Sequence, residues 1–146
     1  MFFTYLDGTP VGRLLIAGDE NGLPEKDWVA NEKPFKEAVK QLNAYFSGQL
    51  QDFDLPLAPE GTEFQQKVWK ALRKVKFGKT ASYGHIAAQI GNPAASRAVG
   101  MANGRNPISI IIPCHRIIGS SGKLVGYGGG LKHKETLLKL ERSMPQ

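Results

Sequence analysis

The sequence predicts a mixed α/β (α+β) fold: a small strand-rich N-terminal subdomain with one helix, then a mainly helical C-terminal domain carrying a helix-turn-helix and an active-site strand. Three observations predict it. The chain opens with two apolar runs joined by a Gly/Pro turn. A Pro- and Gly-bearing segment, QDFDLPLAPEG, interrupts it near Pro59, and the charge reverses there. Beyond that segment, two short helical stretches meet at Gly-Asn-Pro, the pattern of a helix-turn-helix.

The opening runs, FFTYL and RLLIAG, flank DGTPVG and read as a hairpin. Residues 23–33 are polar and read as loop. PFKEAVKQLNAYFSG starts at Pro34 and stops at Gly48, the usual punctuation of a helix, with Phe35, Val39, Leu42 and Phe46 on one face. These elements make up a predicted subdomain of residues 1–58; residues 59–146 form the second domain. In the second, TEFQQKVWKALRKV has capping-box spacing between Thr62 and Gln65, and an apolar stripe of Phe64, Val68, Leu72 and Val75. Ser82 can cap a short helix that ends at Gly91. Asn92 can cap the next, with Pro93 as its first residue and Gly104 at its end. NPISIIIPCHRII reads as a buried strand broken at Pro113. GSSGKLVGYGGG reads as a loop, and LKHKETLLKLERS as a closing helix with Leu131 and Leu138 inward.

Charge narrows the function. Residues 1–58 hold five Lys/Arg against nine Asp/Glu, whereas residues 59–146 hold fourteen against four, so the second part carries +10 of a chain total of +6. Such asymmetry points to a polyanion. One cysteine in 146 residues excludes an internal disulfide and a cysteine-rich zinc site, and fits a reducing, intracellular, cytoplasmic setting. The N-terminus shows neither a signal peptide nor any stretch of membrane-spanning length, so no membrane association is expected.

That cysteine, Cys114, lies between Pro113 and the pair His115 and Arg116. Thiolate is the nucleophile, and a neighbouring imidazole or cation favours it. Adjacent side chains of an extended strand point apart, so a Cys–His relay needs a bent backbone or a bridging water. A carboxylate to orient the imidazole is sought among four acids. Glu60 and Glu63 sit at a helix start and Glu141 near the C-terminus, which leaves Glu135. The second helix of the turn motif is rich in small residues, among them Ala95 and Ser96, and Arg97 projects from it. These features suit close approach to a duplex.

NPISIIIPCHRII, SYGHIAAQIGNPAASRAVG and GYGGGLKHKE together resemble the O6-alkylguanine-DNA alkyltransferase family, from about Gly61 through Glu141. The resemblance implies double-stranded DNA with alkylated bases as partner, and irreversible alkyl transfer to Cys114 without a cofactor. It implies that His115 is the base acting through water, Glu135 its acidic partner, and Asn106 the hinge between recognition helix and active site. It implies that Tyr83 presses on the target phosphate and that Arg97 fills the gap left by a flipped base. Ser96, Ala95 and Arg105 complete the expected DNA-binding set. Tyr127, Gly128, Gly129 and Gly130 match the lid over the guanine pocket. Some members hold zinc in the N-terminal part through Cys and His; this chain has neither before Gly61, so no metal is expected. A monomer is expected. Two rivals remain open at this level: a non-catalytic helix-turn-helix protein that senses damage or regulates transcription, and a cysteine hydrolase using Cys114 and His115.

Overall fold

A computed structural model describes residues 2–18, 29–119 and 130–141. Contacts divide the chain into two compact units, Met1–Leu55 and Pro56–Gln146.

In the first unit, β1 (Phe2–Thr9) and β2 (Gly12–Gly18) form the predicted antiparallel hairpin, with Leu6 opposite Leu14 and Thr9 opposite Gly12. Gly12 has φ +85, a left-handed turn conformation that favours glycine. A short β3 (Val29–Ala30) adds parallel to β1, inside the stretch read as loop. Two residues are too few for strand periodicity to register. The helix α1 (Lys36–Phe46) begins later than Pro34, which lies in a 3-10 turn, Lys33–Phe35. Its buried face is centred on Leu42 and Tyr45, with Val39 and Phe46 only half-buried. Gln41 is buried on that face because its amide pairs with the backbone of Asp54, donating at 2.9 Å and accepting at 2.8 Å. A buried amide is tolerated when both of its ends are satisfied.

The second unit is built on α2 (Glu63–Arg73). Its capping box forms as predicted: Gln65 N–H donates to Thr62 Oγ1 (3.1 Å), and Thr62 N–H to Gln65 Oε1 (2.9 Å). Val68, Trp69, Ala71 and Leu72 enter the core. A two-residue strand, β4 (Ala81–Ser82), leads into α3 (Tyr83–Gln89), which Ser82 caps by accepting from His85 N–H at 3.0 Å. Gly91 (φ +83) turns the chain out of α3.

The second helix of the motif, α4, spans Ser96–Gly104. It starts three residues beyond the predicted Pro93, and Asn92 is not its cap. Instead the Asn92 carbonyl accepts from Ala95 N–H at 3.0 Å, closing a turn. The helices α2, α3 and α4 pack together around Ile86, Ala87, Val99 and Ala102, and Trp69 Nε1 donates to the Ala102 carbonyl at 2.9 Å.

The segment after α4, predicted as a buried strand broken at Pro113, is strand only at its end. Ile110 holds a positive φ of 76, Cys114–Arg116 forms a single 3-10 turn, and strand begins only at β5 (Ile117–Ile118), parallel to β4. The apolar run is buried because it threads the core, not because it pairs in a sheet. The closing helix, α5 (Leu131–Leu140), buries Lys134, Leu137 and Leu138; Leu131, predicted inward, is 49% exposed.

Candidate active site and nucleic-acid interface

Cys114 opens the 3-10 turn after Pro113 (φ −81, ψ 67) and is 4% exposed. The turn is fixed from α4 and from the loop that follows it. Asn106 donates through Nδ2 to the Ile112 carbonyl (2.8 Å) and accepts from Ile108 N–H (2.9 Å), so one side chain pins both ends of the loop. Cys114 N–H donates to the Ile112 carbonyl at 2.8 Å. Asn103, on the buried face of α4, directs Nδ2 to the Cys114 carbonyl at 3.4 Å. Asn103 thus ties the cysteine to the recognition helix, and Asn106, just beyond that helix, holds the loop that leads to it; sequence reasoning found only Asn106. A polar residue at an otherwise apolar face position, one helical turn after Val99, is the signal for Asn103.

Burial pushes the Cys114 thiol up; side-chain hydrogen bonding by Asn106 and Ser109 and the charge of Lys134 pull it back toward thiolate. The Ser109 hydroxyl lies 4.0 Å from Sγ. These are not the neighbours that adjacency suggested. His115 and Arg116 both turn to Glu141.

The imidazole of His115 is fully buried, with Nε2 2.7 Å from Glu141 Oε2. Arg116 grips the same carboxylate as a fork, donating from Nε to Oε1 at 2.8 Å and from Nη2 to Oε2 at 3.0 Å; its Nη1 donates to the Val75 carbonyl at 2.6 Å. Burial lowers the His115 pKa, Glu141 opposes that, and Arg116 and Lys134 reinforce it. A neutral ring that donates Nε2–H to Glu141 keeps its lone pair on Nδ1, and Nδ1 has no hydrogen-bond partner among the described residues. The arrangement sets the buried imidazole against a carboxylate that the Arg116 fork also grips.

Glu135, expected as the acidic partner of His115, lies elsewhere. Its side chain is 43% exposed and pairs with Lys139 at 2.9 Å, one turn along α5. The reason is helical phase. Lys134, Leu137, Leu138 and Glu141 recur at the spacing of one buried face, and Glu135 falls outside it. Glu141 lies near the end of the chain, but its register with Leu137 and Leu138 places it on the buried face.

Lys134 was also missed. Its ammonium is buried, donates to the Ile117 carbonyl, and is lowered to about 8 by burial. Its charge acts on Cys114.

Of the expected DNA-binding residues, Arg97 and Arg105 are exposed at the two ends of α4, and Ala95 and Ser96 are half-buried at its start. Tyr83 is half-buried at the start of α3, within 4 Å of where a side chain on Gly100 of α4 would begin. Burial raises its pKa, and so does the charge of Cys114. Tyr127, Gly128 and Gly129 lie outside the described residues. Gly130 precedes α5 with φ +96, a conformation open to glycine and strained for other residues. No group of three or more His, Cys, Asp or Glu side chains is arranged to hold a metal among the described residues.

Fold and site together define a helix-turn-helix unit whose recognition helix is hydrogen-bonded to the backbone of a buried free cysteine. Residues 63–143 match the family model of the 6-O-methylguanine DNA methyltransferase DNA binding domain, and residues 1–59 that of its ribonuclease-like domain. The chain is 56% identical to the methylated-DNA–protein-cysteine methyltransferase of Methanosarcina acetivorans, over 92% of this chain and 95% of that protein. It is 52% identical to the protein of the same name from Mycobacterium tuberculosis, over 92% and 89%. Its fold superposes on the crystal structure of Mycobacterium tuberculosis OGT in complex with DNA with a TM-score of 0.91, at 49% identity, covering 99% of this chain and 94% of that one. The chain belongs to the 6-O-methylguanine DNA methyltransferase family.

Proposed function

We propose that this protein repairs alkylated double-stranded DNA by moving the alkyl group from O6 of guanine, and from O4 of thymine, onto Cys114, once per chain. The observation that carries the reading is the union of a single buried cysteine with a recognition helix through Asn103 and Asn106.

The chemistry follows from the site. A base stacked in a duplex cannot reach a thiol that is 4% exposed, so the target nucleotide must flip out. Arg97, exposed on a helix of small residues, occupies the vacated space, and Tyr83 bears on the phosphate of the flipped nucleotide. Gly130, with φ +96, lets the chain enter α5 with no side chain in the way of a flat base. His115 Nδ1 accepts the thiol proton, relayed by a water, while Glu141 stabilises the imidazolium that results. Asn106, Ser109 and Lys134 favour the thiolate.

Sulfur then attacks the alkyl carbon. The S–C bond forms, the C–O6 bond breaks, and guanine leaves with the electron pair and regains a proton from the site. Atoms and charge balance without any co-reactant. The thioether is not an activated ester, and the chain has no second thiol to resolve it. The protein is consumed. This separates the reading from a cysteine hydrolase, which turns over, and from a regulator that binds without transfer. An intracellular, cytoplasmic location and a monomeric state belong to the same reading.

Intact-protein mass after incubation with methylated duplex tests it. One added methyl per chain, mapped to Cys114 and lost in Cys114→Ser with DNA binding retained, is the expected result. Transfer of many groups per chain, or modification elsewhere, overturns the reading.

A further inference from the structure

The helix-turn-helix carries little of the charge that the C-terminal unit concentrates. From Ser82 to Asn106 there are two formal cations, Arg97 and Arg105; the seven residues from Arg73 to Lys79 hold four. Part of that cluster has a local cause, because Lys70, Arg73 and Lys74 sit at the C-terminal end of α2, where cations suit the helix dipole. Lys76 and Lys79 have no such cause. They stand at the two ends of a turn, closed by Lys79 N–H donating to the Lys76 carbonyl at 2.9 Å, with Gly78 at φ +80 inside it.

The turn is anchored from below. The Phe77 ring lies 5.9 Å from the Arg116 guanidinium, and the Gly78 Cα faces the Glu141 carbonyl so closely that an added Cβ would sit 3.4 Å from it. Beside the turn is an open cleft of about 230 Å³, lined by Lys74, Lys76, Lys79, Thr80, His85 and Gln89 among others, with no acidic residue in its wall. None of the three lysines has an ion pair among the described residues, and all three are exposed. His85 and Gln89 lie on the side of α3 roughly opposite Tyr83, the residue next to α4. The cleft is thus turned away from the recognition helix.

We propose that this cleft is a second phosphodiester-binding site, in which Lys74, Lys76, Lys79 and His85 take backbone phosphates of DNA outside the segment read by the helix-turn-helix. Lysine is a point charge on a flexible stem, suited to phosphate without demand on sequence. Thr80 and Gln89 supply neutral hydrogen-bonding groups of the kind that accompany such contacts. The phosphates come either from the flanks of the bound duplex or from a second duplex; the chemistry recognised is the same.

The test compares wild type with a triple variant, Lys74→Gln, Lys76→Gln and Lys79→Gln. A control triple, Lys33→Gln, Lys36→Gln and Lys40→Gln, removes the same charge from the N-terminal unit. Affinity is measured against salt on one short duplex, about the length of a helix-turn-helix footprint, and one several times longer. Each lysine–phosphate contact contributes about 0.9 to the slope of log K on log salt, so on the long duplex the slope of the cleft variant falls by about two to three. On the short duplex and in the control triple it is nearly unchanged. If instead a second short duplex binds wild type and not the cleft variant at saturation, the phosphates come from a separate molecule and the site stands. Equal slopes in wild type and cleft variant on both duplexes, with no second duplex bound, overturn the proposal. So does an equal fall in both triples, which is a long-range field, or an equal fall on both duplexes, which places the lysines inside the primary footprint. Alkyl transfer from free alkylguanine base to Cys114 is measured alongside; the cleft variant retains it, and its absence from wild type would sink the repair reading without touching the salt result.

Discussion

Two glutamates six residues apart have opposite fates, and the contrast is measurable. Glu141 is buried between His115 and Arg116, whereas Glu135 reaches solvent beside Lys139. Removing one partner of a buried ion pair leaves the other charge without compensation, a loss of about 3–5 kcal/mol. An exposed pair along a helix contributes little, because solvent screens it. Glu141→Gln is expected to lower denaturant-midpoint stability by several kcal/mol and to slow alkyl transfer at least tenfold, while Glu135→Gln leaves both nearly unchanged. Stopped-flow transfer and urea unfolding of the two variants decide it; equal effects would restore Glu135 to the site. Lys134 gives a second residue-scale prediction. Its pKa is lowered to about 8, so the buried charge opposes folding at neutral pH while its field favours the Cys114 thiolate. Lys134→Met is expected to hold or raise the melting temperature and to slow transfer, with the pH dependence of thiol alkylation displaced upward. A large loss of stability with transfer unchanged would reverse both assignments.

At the scale of elements, α4 joins two tasks. Its exposed face carries Arg97 and Arg105, and its buried face carries Asn103 and the Ala102 carbonyl that receives Trp69. A residue that serves only to stabilise the flipped-out state has no role with a free base. Arg97→Ala is therefore expected to slow repair in duplex DNA by one to two orders of magnitude, corresponding to the few kcal/mol of flipping, and to leave reaction with free alkylguanine base almost unaltered. Equal losses on both substrates would remove Arg97 from that role. The elements also differ in how plainly the sequence announces them. The α2 capping box and stripe were readable because local hydrogen bonds and helical periodicity suffice to specify them. The start of α4 was not, since Asn92 and Pro93 carry cap chemistry and yet form an exposed turn held by backbone hydrogen bonds, Asn92 N–H to the Ala87 carbonyl and Ala95 N–H to the Asn92 carbonyl. The strand predicted through Cys114 failed for a related reason: a run of isoleucines records burial, and burial alone does not distinguish a strand from an irregular segment threaded through a core.

For the molecule as a whole, the buried network predicts how stability depends on pH. His115 has a folded-state pKa below its ordinary value of 6.5. Between those two values the unfolded chain binds the proton more readily than the folded one. Stability from this group is thus fully present above about pH 6.5 and is lost as pH falls toward the folded pKa. Thermal melts from pH 7.5 down to 5 are expected to show a decline that is reduced in His115→Phe relative to wild type; an unchanged decline would assign it to other groups.

The sequence by itself determined the chemistry of the centre and its partner. A single cysteine, its Pro-Cys-His-Arg setting, the Gly-Asn-Pro turn and the +10 charge after Ala58 are local or compositional facts, legible without coordinates. Only the tertiary structure decided which acid orients His115, that Asn103 and Lys134 join the site, and that the lysines after α2 line one cleft. Each of these depends on residues far apart in the chain, such as Val75, Arg116 and Glu141 meeting at one guanidinium. Sequence spacing fixes neighbours along an element, whereas the packing of one element on another fixes which of their faces meet.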